Sequence, residues 1–238
     1  MLYLSYESVS WSPARQVIWS LMLGFVLALG SAAWGAEAGE PITGAAKTAF
    51  LTTWSARLRG MQSLHMLFRQ EKHLPVLRRV LTAQGELWLK GERLRYTLAN
   101  TSGETELAVS LDKQTIKTYY PALQTLEVIE AQMTGALPLM LPFWSPEPEA
   151  WLTEYEVELF QDTTGMHTLR LVPRNVSLPV QEMRLLLRDF QPQTFVQVEK
   201  NGTRVSLHIT AFTVNPEVSE EQLTLRVPAG TKVLRPLQ

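Results

Sequence analysis

The chain has 238 residues, 45% of them hydrophobic and 19% charged, with a formal net charge of −1. That balance suits one globular domain with a sizeable core, and the near-neutral charge offers no basic face for a nucleic-acid partner. Cysteine is absent, which excludes disulfides, thiol catalysis, thiolate metal sites and a lipid-modified N-terminal cysteine.

Arg15 precedes an apolar run from Val17 to Gly30, and small residues follow at Ser31-Ala32-Ala33, Gly35-Ala36 and Ala38. A basic flank, a short apolar core and an A-x-A-like end form the pattern of a secretory signal peptide. The run is about 14 residues, short of the roughly 20 that span a bilayer. Residues 1–36 are therefore read as a signal peptide, cleaved between Ala33 and Ala38, and residues 37–238 as one exported domain. Thr43 is placed to cap a helix that runs to about Arg59 and ends at Gly60. Phe50, Trp54 and Leu58 recur along one face of it, either as ordinary core or as a plug for the mouth of a barrel.

Strands follow. Leu64, Met66 and Phe68 alternate with His65, Leu67 and Arg69 over Ser63–His73, and Leu74-Pro75 breaks the run. Gln84–Tyr96 is the plainest hairpin. Leu81, Ala83, Gly85, Leu87 and Leu89 share one face, Gly91-Glu92 is the polar break, and Leu94, Tyr96 and Leu98 resume the alternation. Its apolar face is read as lining a cavity for something greasy. Asn100–Gly103 is a turn, Glu106–Leu111 a strand, and Thr115–Tyr120 pairs with Leu123–Ile129 around Pro121.

Residues 131–152 break the period of two and carry Pro138 and Pro142, so they are read as one or two short helices. Beyond them Tyr155, Val157 and Leu159 alternate with Glu154, Glu156 and Glu158, a carboxylate row expected on a solvated face. Met166–Pro173, Val180–Phe190, a hairpin turning at Asn201-Gly202, and a last strand through Leu223, Leu225 and Val227 complete the chain. The fold class expected is mainly β: a strongly curved antiparallel sheet or open half-barrel of about eleven strands, with an N-terminal helix and a short helical lid.

No catalytic constellation stands out. His65, His73, His167 and His208 are scattered with no metal-ligand spacing, and no G-x-S-x-G or Gly-rich phosphate loop occurs. Glu104 with Glu106, and Glu220 with Glu221, lie in polar stretches where solvation outweighs acid–base work. The expectation is a non-enzyme with no catalytic residue, no metal and no cofactor. What is in excess is apolar surface. A curved sheet covered by a Pro-broken apolar segment is an arrangement that could carry acyl chains, each hidden methylene contributing about 0.8 kcal/mol.

Several stretches, in order, resemble the LolA family of periplasmic lipoprotein carriers. They are Leu64–Gln70 (LHMLFRQ), Gly85–Lys90 (GELWLK), Leu94–Tyr96, Thr134–Leu141 (TGALPLML), Leu169–Pro173 (LRLVP), and Asn201-Gly202 with Phe212 and Leu223–Ala229 (LTLRVPA). The resemblance implies an open barrel of about eleven strands with a helical lid and a hydrophobic cavity for lipoprotein acyl chains. It also implies an inner-membrane ABC-type complex that loads a monomeric carrier in the Gram-negative periplasm, and an outer-membrane receptor lipoprotein that unloads it. On this reading the cavity is lined by Leu87, Leu89, Leu94, Tyr96, Leu107, Val109, Phe50 and Trp54. The lid presents Met133, Leu137, Leu139, Met140, Leu141 and Phe143.

The chain departs from the family after Lys90. Where the family typically has Arg-Pro, with an Arg that tethers the lid, this chain has Gly91-Glu92 and then Arg93. Arg93 is either a substitute latch or a solvated loop arginine. Lys72–Leu81 (KHLPVLRRVL) looks more like LolA-related proteins of lipid-modifying pathways, which leaves a different lipid conjugate open as cargo. A structural envelope protein with a filled core, and a hydrolase of envelope lipid, are the rival readings from other classes.

Overall fold

A computed structural model of the chain describes residues 39–112, 115–130 and 152–235. The signal peptide read over 1–36 and the lid residues Met133, Leu137, Leu139, Met140, Leu141 and Phe143 lie outside them. In chain order the described elements are β1 (Glu40–Ile42), α1 (Gly44–Arg59), β2 (Ser63–His73), β3 (Leu81–Lys90), β4 (Arg93–Ala99), β5 (Thr105–Asp112) and β6 (Thr115–Tyr120). A 3-10 turn (Pro121–Leu123) leads to β7 (Thr125–Glu130), β8 (Tyr155–Gln161), β9 (His167–Pro173), β10 (Val180–Arg188), β11 (Gln191–Glu199), β12 (Arg204–Val214), α2 (Glu220–Leu223) and β13 (Lys232–Leu234).

All thirteen strands belong to one sheet, in the order β1-β8-β9-β10-β11-β12-β2-β3-β4-β5-β6-β7-β13. Two antiparallel meanders, β2–β7 and β8–β12, are joined where β12 pairs with β2. The sheet is curved and unclosed, with β1 at one edge and β13 at the other. Mainly β and open is thus the architecture that alternation along the chain leads one to expect. The strand count exceeds eleven because β1 and β13 are three residues each, too short to display a period of two.

The inner face is set by the alternating apolar positions. Leu64, Met66 and Phe68 of β2, Leu87 of β3, Tyr155, Val157 and Leu159 of β8, Leu169 and Leu171 of β9, and Met183, Leu185 and Leu187 of β10 are buried in one core. Helix α1 adds Phe50, Trp54 and Leu58 to it, the aromatic stripe read from the sequence. Thr43 stands at the N-cap without a side-chain cap bond, and Gly60 ends the helix in an ordinary right-handed conformation (φ −76°).

Three sequence expectations are corrected. Leu223, Leu225 and Val227 form no strand. Ser219 and Gln222 make a reciprocal capping box, which winds Glu220–Leu223 into a helical turn, and the final strand comes later, parallel to β7. The strand read over Val180–Phe190 is β10, and it ends two residues earlier, at Arg188. The chain reverses at Asp189 and Phe190, both at positive φ (51° and 61°), and Arg188 pairs with Gln191. The carboxylates beside β8 are not all simply solvated. Glu158 accepts from Arg170, which also donates to the buried Glu182 at 2.6 Å, and Arg184 reaches Glu182 at 2.5 Å. Charges thus cross β8, β9 and β10 as a ladder.

Candidate functional site

Register carries the site. Residues directly opposite in neighbouring strands share a face, so apolar positions line up in rows across the sheet. One row runs Phe212, Met66, Leu87, Tyr96, Val109. A second runs Leu64, Leu89, Leu94, Leu111, Ile116 and Ile129. A third runs Ile209, Phe68, Gly85, Leu98, Leu107, and at Gly85 the missing side chain is replaced by the ring of Phe68, stacked 5.7 Å from Tyr96. The six strand residues named from the sequence, Leu87, Leu89, Leu94, Tyr96, Leu107 and Val109, all fall on this face. Phe50 and Trp54 belong to the same core.

The two halves of the face differ in burial. Under the β8–β10 half, Leu169, Leu171, Leu185 and Leu187 are fully buried (0%). On the β3–β6 half Leu87, Leu94, Leu98, Val109 and Leu111 are buried, but Leu89, Tyr96, Leu107 and Ile116 between them are only half-buried, as are Ile209 and Phe212 of β12. Phe50 is drawn toward the first half. It stacks on Phe190 at 4.8 Å and lies 4.7 Å from His167, while the Arg57 guanidinium caps the Phe190 ring at 4.9 Å.

Toward one end the inner face turns polar, because the alternation that places Phe68 inward continues through Gln70 and Lys72. Tyr96 Oη donates to Gln70 Oε1 at 3.3 Å, and burial raises the Tyr96 phenol above its ordinary range. Glu199 is wholly buried, and among the described residues no donor meets either of its oxygens in good hydrogen-bond geometry. Burial raises its carboxyl, opposed in part by the Lys72 ammonium and the nearby amides of Asn201 and Gln197. Burial in turn lowers the Lys72 ammonium. These inward polar residues were missed from sequence, although the period of two through β2 points directly at Gln70 and Lys72.

Arg93 takes the opposite face from Leu94. It donates to Glu220 at 2.6 Å and lies 3.5 Å from Asp112. Lys90 Nζ donates to the Val218 carbonyl and Arg95 to that of Thr224, so these three cations fasten residues 218–224 to the sheet. The histidines stay apart: His65 stacks on Trp88 at 3.6 Å and contacts Glu86, while His208 faces Glu71. Glu104, Glu106, Glu220 and Glu221 are exposed. Among the described residues no group of three or more His, Asp or Glu side chains is placed to hold a metal ion.

No family model matches the chain, and no curated protein matches it. Solved structures similar to it include an uncharacterized conserved protein of Thermus thermophilus (14% identity, TM-score 0.48, covering 79% of this chain and 99% of that one). A LolA superfamily protein of Nitrosomonas europaea has 10% identity and a TM-score of 0.40, covering 73% of this chain and 97% of that one. An outer membrane lipoprotein-sorting protein domain of Vibrio parahaemolyticus has 11% identity and a TM-score of 0.40, covering 74% and 94%.

Proposed function

We propose that the chain is a carrier of acyl chains of LolA type, exported to the periplasm, which holds the lipid of a lipoprotein against the inner face of the β2–β6 half-sheet. The observation that carries this reading is the set of half-buried apolar side chains, Leu89, Tyr96, Leu107 and Ile116, drawn from all three rows and set beside a tightly packed half under the same sheet. A filled sandwich would bury both halves alike. The resemblance of Leu64–Gln70 and Gly85–Lys90 to the carrier family supports the same assignment. Loading by an inner-membrane ABC-type complex and unloading to an outer-membrane receptor lipoprotein follow from that assignment, with the protein acting as a monomer. The lid of this reading is Met133, Leu137, Leu139, Met140, Leu141 and Phe143. Carrying needs binding and release, and no catalytic group.

A related cargo is the second reading, and Arg93 favours it. Its guanidinium is committed to Glu220 and Asp112 on the face opposite Leu94, so a lid on the inner face would lack the tether that the family's Arg supplies. A lipid conjugate other than a lipoprotein would suit a carrier whose lid is governed differently. Native mass spectrometry of the protein after incubation with spheroplasts separates the readings. Lipidated protein bound one-to-one supports the lipoprotein carrier, and free lipid or a lipid conjugate supports the second. An empty protein that also excludes a fluorescent fatty acid overturns both.

A further inference from the structure

Three of the loops at one end of the sheet are neighbours. They are residues 74–80 between β2 and β3, 174–179 between β9 and β10, and 200–203 between β11 and β12. They touch in sequence around the rim. Lys200 donates its backbone N–H to the Pro179 carbonyl at 2.8 Å and its Nζ to the Val176 carbonyl. A Cβ at Gly202 would lie 3.0 Å from Pro75 Cγ.

This rim combines two kinds of side chain. Val76 (52%), Leu77 (37%), Val80 (47%) and Val176 (79%) are among the most exposed large hydrophobic residues described, whereas soluble surfaces seldom cluster such groups without a use for them. The same loops carry Arg78, Arg79, Arg174 and Lys200, all exposed, and no Asp or Glu. Of the acids near the rim, Glu71 pairs with Arg69 and His208 and Glu199 is buried, while Glu154, whose carbonyl accepts from the Arg174 N–H at 2.9 Å, is exposed. In a chain of net charge −1, this is a local concentration of positive charge.

Cations alone would suit any acidic partner. Aliphatic side chains at the tips of the same loops select among these. Set at a bilayer, Val76, Val80 and Val176 enter the boundary between headgroups and acyl chains while the guanidinium groups stay at the phosphates. We propose that this rim is a docking surface for an anionic lipid bilayer, which the protein engages reversibly through residues 74–80, 174–179 and 200. The contact is separate from the inner-face site and does not depend on what that site carries.

Co-sedimentation of the full chain with vesicles tests it, using phosphatidylcholine alone and phosphatidylcholine with phosphatidylglycerol. Any attachment through the apolar run Val17–Gly30 is common to every variant, so differences between variants isolate the rim. Each cation facing an anionic surface is worth about fivefold in partitioning. Arg78→Glu with Arg79→Glu should therefore lower binding to the phosphatidylglycerol vesicles by about twentyfold or more, and raised salt should weaken the unmodified chain in the same direction. Val76→Ser with Val176→Ser should lower binding to those vesicles while leaving binding to heparin, an anionic polymer without an apolar layer, unchanged. Equal binding to both vesicle types, or binding indifferent to the arginine pair, overturns the proposal. Vesicle binding indifferent to the valine pair overturns the assignment to lipid, since an acidic macromolecule would then serve as well.

Discussion

The ring of Phe68 lies where a side chain at Gly85 would stand. The two residues are directly paired across β2 and β3, and a Cβ at Gly85 would fall 2.0 Å from Phe68 Cζ. Phe68 is itself 2% exposed and stacked beside Tyr96, so its ring has little room to retreat. Gly85→Ala should therefore destabilise the protein by about 1–3 kcal/mol, the usual cost of overpacking. Phe68→Leu should relieve the clash, so the same alanine should cost less in that background. Urea denaturation of the two single variants and the double variant gives the coupling, and strict additivity would refute the packing argument.

The half-buried face makes a sharper prediction about binding. A carboxylate at Leu107 would sit opposite Leu98 and diagonal to Tyr96, whereas one at Leu67 would sit on the other face, opposite Glu86. Leu107→Glu should reduce uptake of a fluorescent fatty acid at least tenfold. Leu67→Glu should leave it within twofold. Matching losses in the two variants would mean that the probe does not read the inner face.

How far the chain announces this architecture depends on the residues involved. Leu64, Met66, Phe68 and Leu87 alternate without interruption, and their burial follows directly from the period of two. Leu223 belongs to a stretch that also alternates, yet Ser219 and Gln222 impose a helical turn. The capping-box spacing is present in the sequence, but three alternating apolar residues outweigh it when the stretch is read alone. The reversal at Asp189 and Phe190 carries no signal of that kind, because neither glycine nor asparagine marks its left-handed positions. The inner-face rows are legible in outline. Which half of that face is loosely covered is not, since it depends on where α1 settles.

The charge ladder across β8–β10 should be costly to cut. Glu182 is 5% exposed and depends on Arg170 and Arg184. Arg170→Met removes one partner and leaves the other, so the loss should be about 2–3 kcal/mol, toward the low end for a broken buried pair. Arg170→Met combined with Glu182→Leu should recover part of it, because the buried carboxylate is then gone and Glu158, which also loses Arg170, is exposed enough to be solvated. Chemical denaturation at neutral pH checks both. A double variant less stable than Arg170→Met would show that the remaining Glu182–Arg184 pair contributes more than the half-paired carboxylate costs.

Glu199 makes the fold sensitive to pH. Burial raises its carboxyl in the folded chain above the ordinary value of 4.5. The folded state therefore holds this proton more tightly than the unfolded state does. The stability it confers is fully present below 4.5 and is lost as pH rises through the folded value. Glu199→Gln removes that term, so its stability relative to the unmodified chain should rise with pH above 4.5 and then level off. Lys72 bounds the gain, since its ammonium loses the carboxylate that offsets its own burial. Melting temperatures of the two proteins from about pH 4 to about pH 8 give the difference curve, and a flat curve would place Glu199 in a far better solvated setting than its burial indicates.

The turn at Asp189 and Phe190 sets backbone strain against side-chain packing. Both residues hold left-handed angles that cost a non-glycine residue on the order of 1 kcal/mol. Asp189 is exposed, so Asp189→Gly should stabilise the protein by several tenths of a kcal/mol to about 1. Phe190 is different, because its ring stacks on Phe50 and lies under Arg57. Phe190→Gly relieves the same backbone strain but removes those contacts, and an aromatic pair alone is worth about 0.5–1.5 kcal/mol beyond the area it buries. The net effect of Phe190→Gly should be destabilising. Thermal melts of the two variants should therefore move in opposite directions. A stabilised Phe190→Gly would mean that the ring contributes less than the backbone costs, and that the stack on Phe50 does not anchor α1 to the sheet.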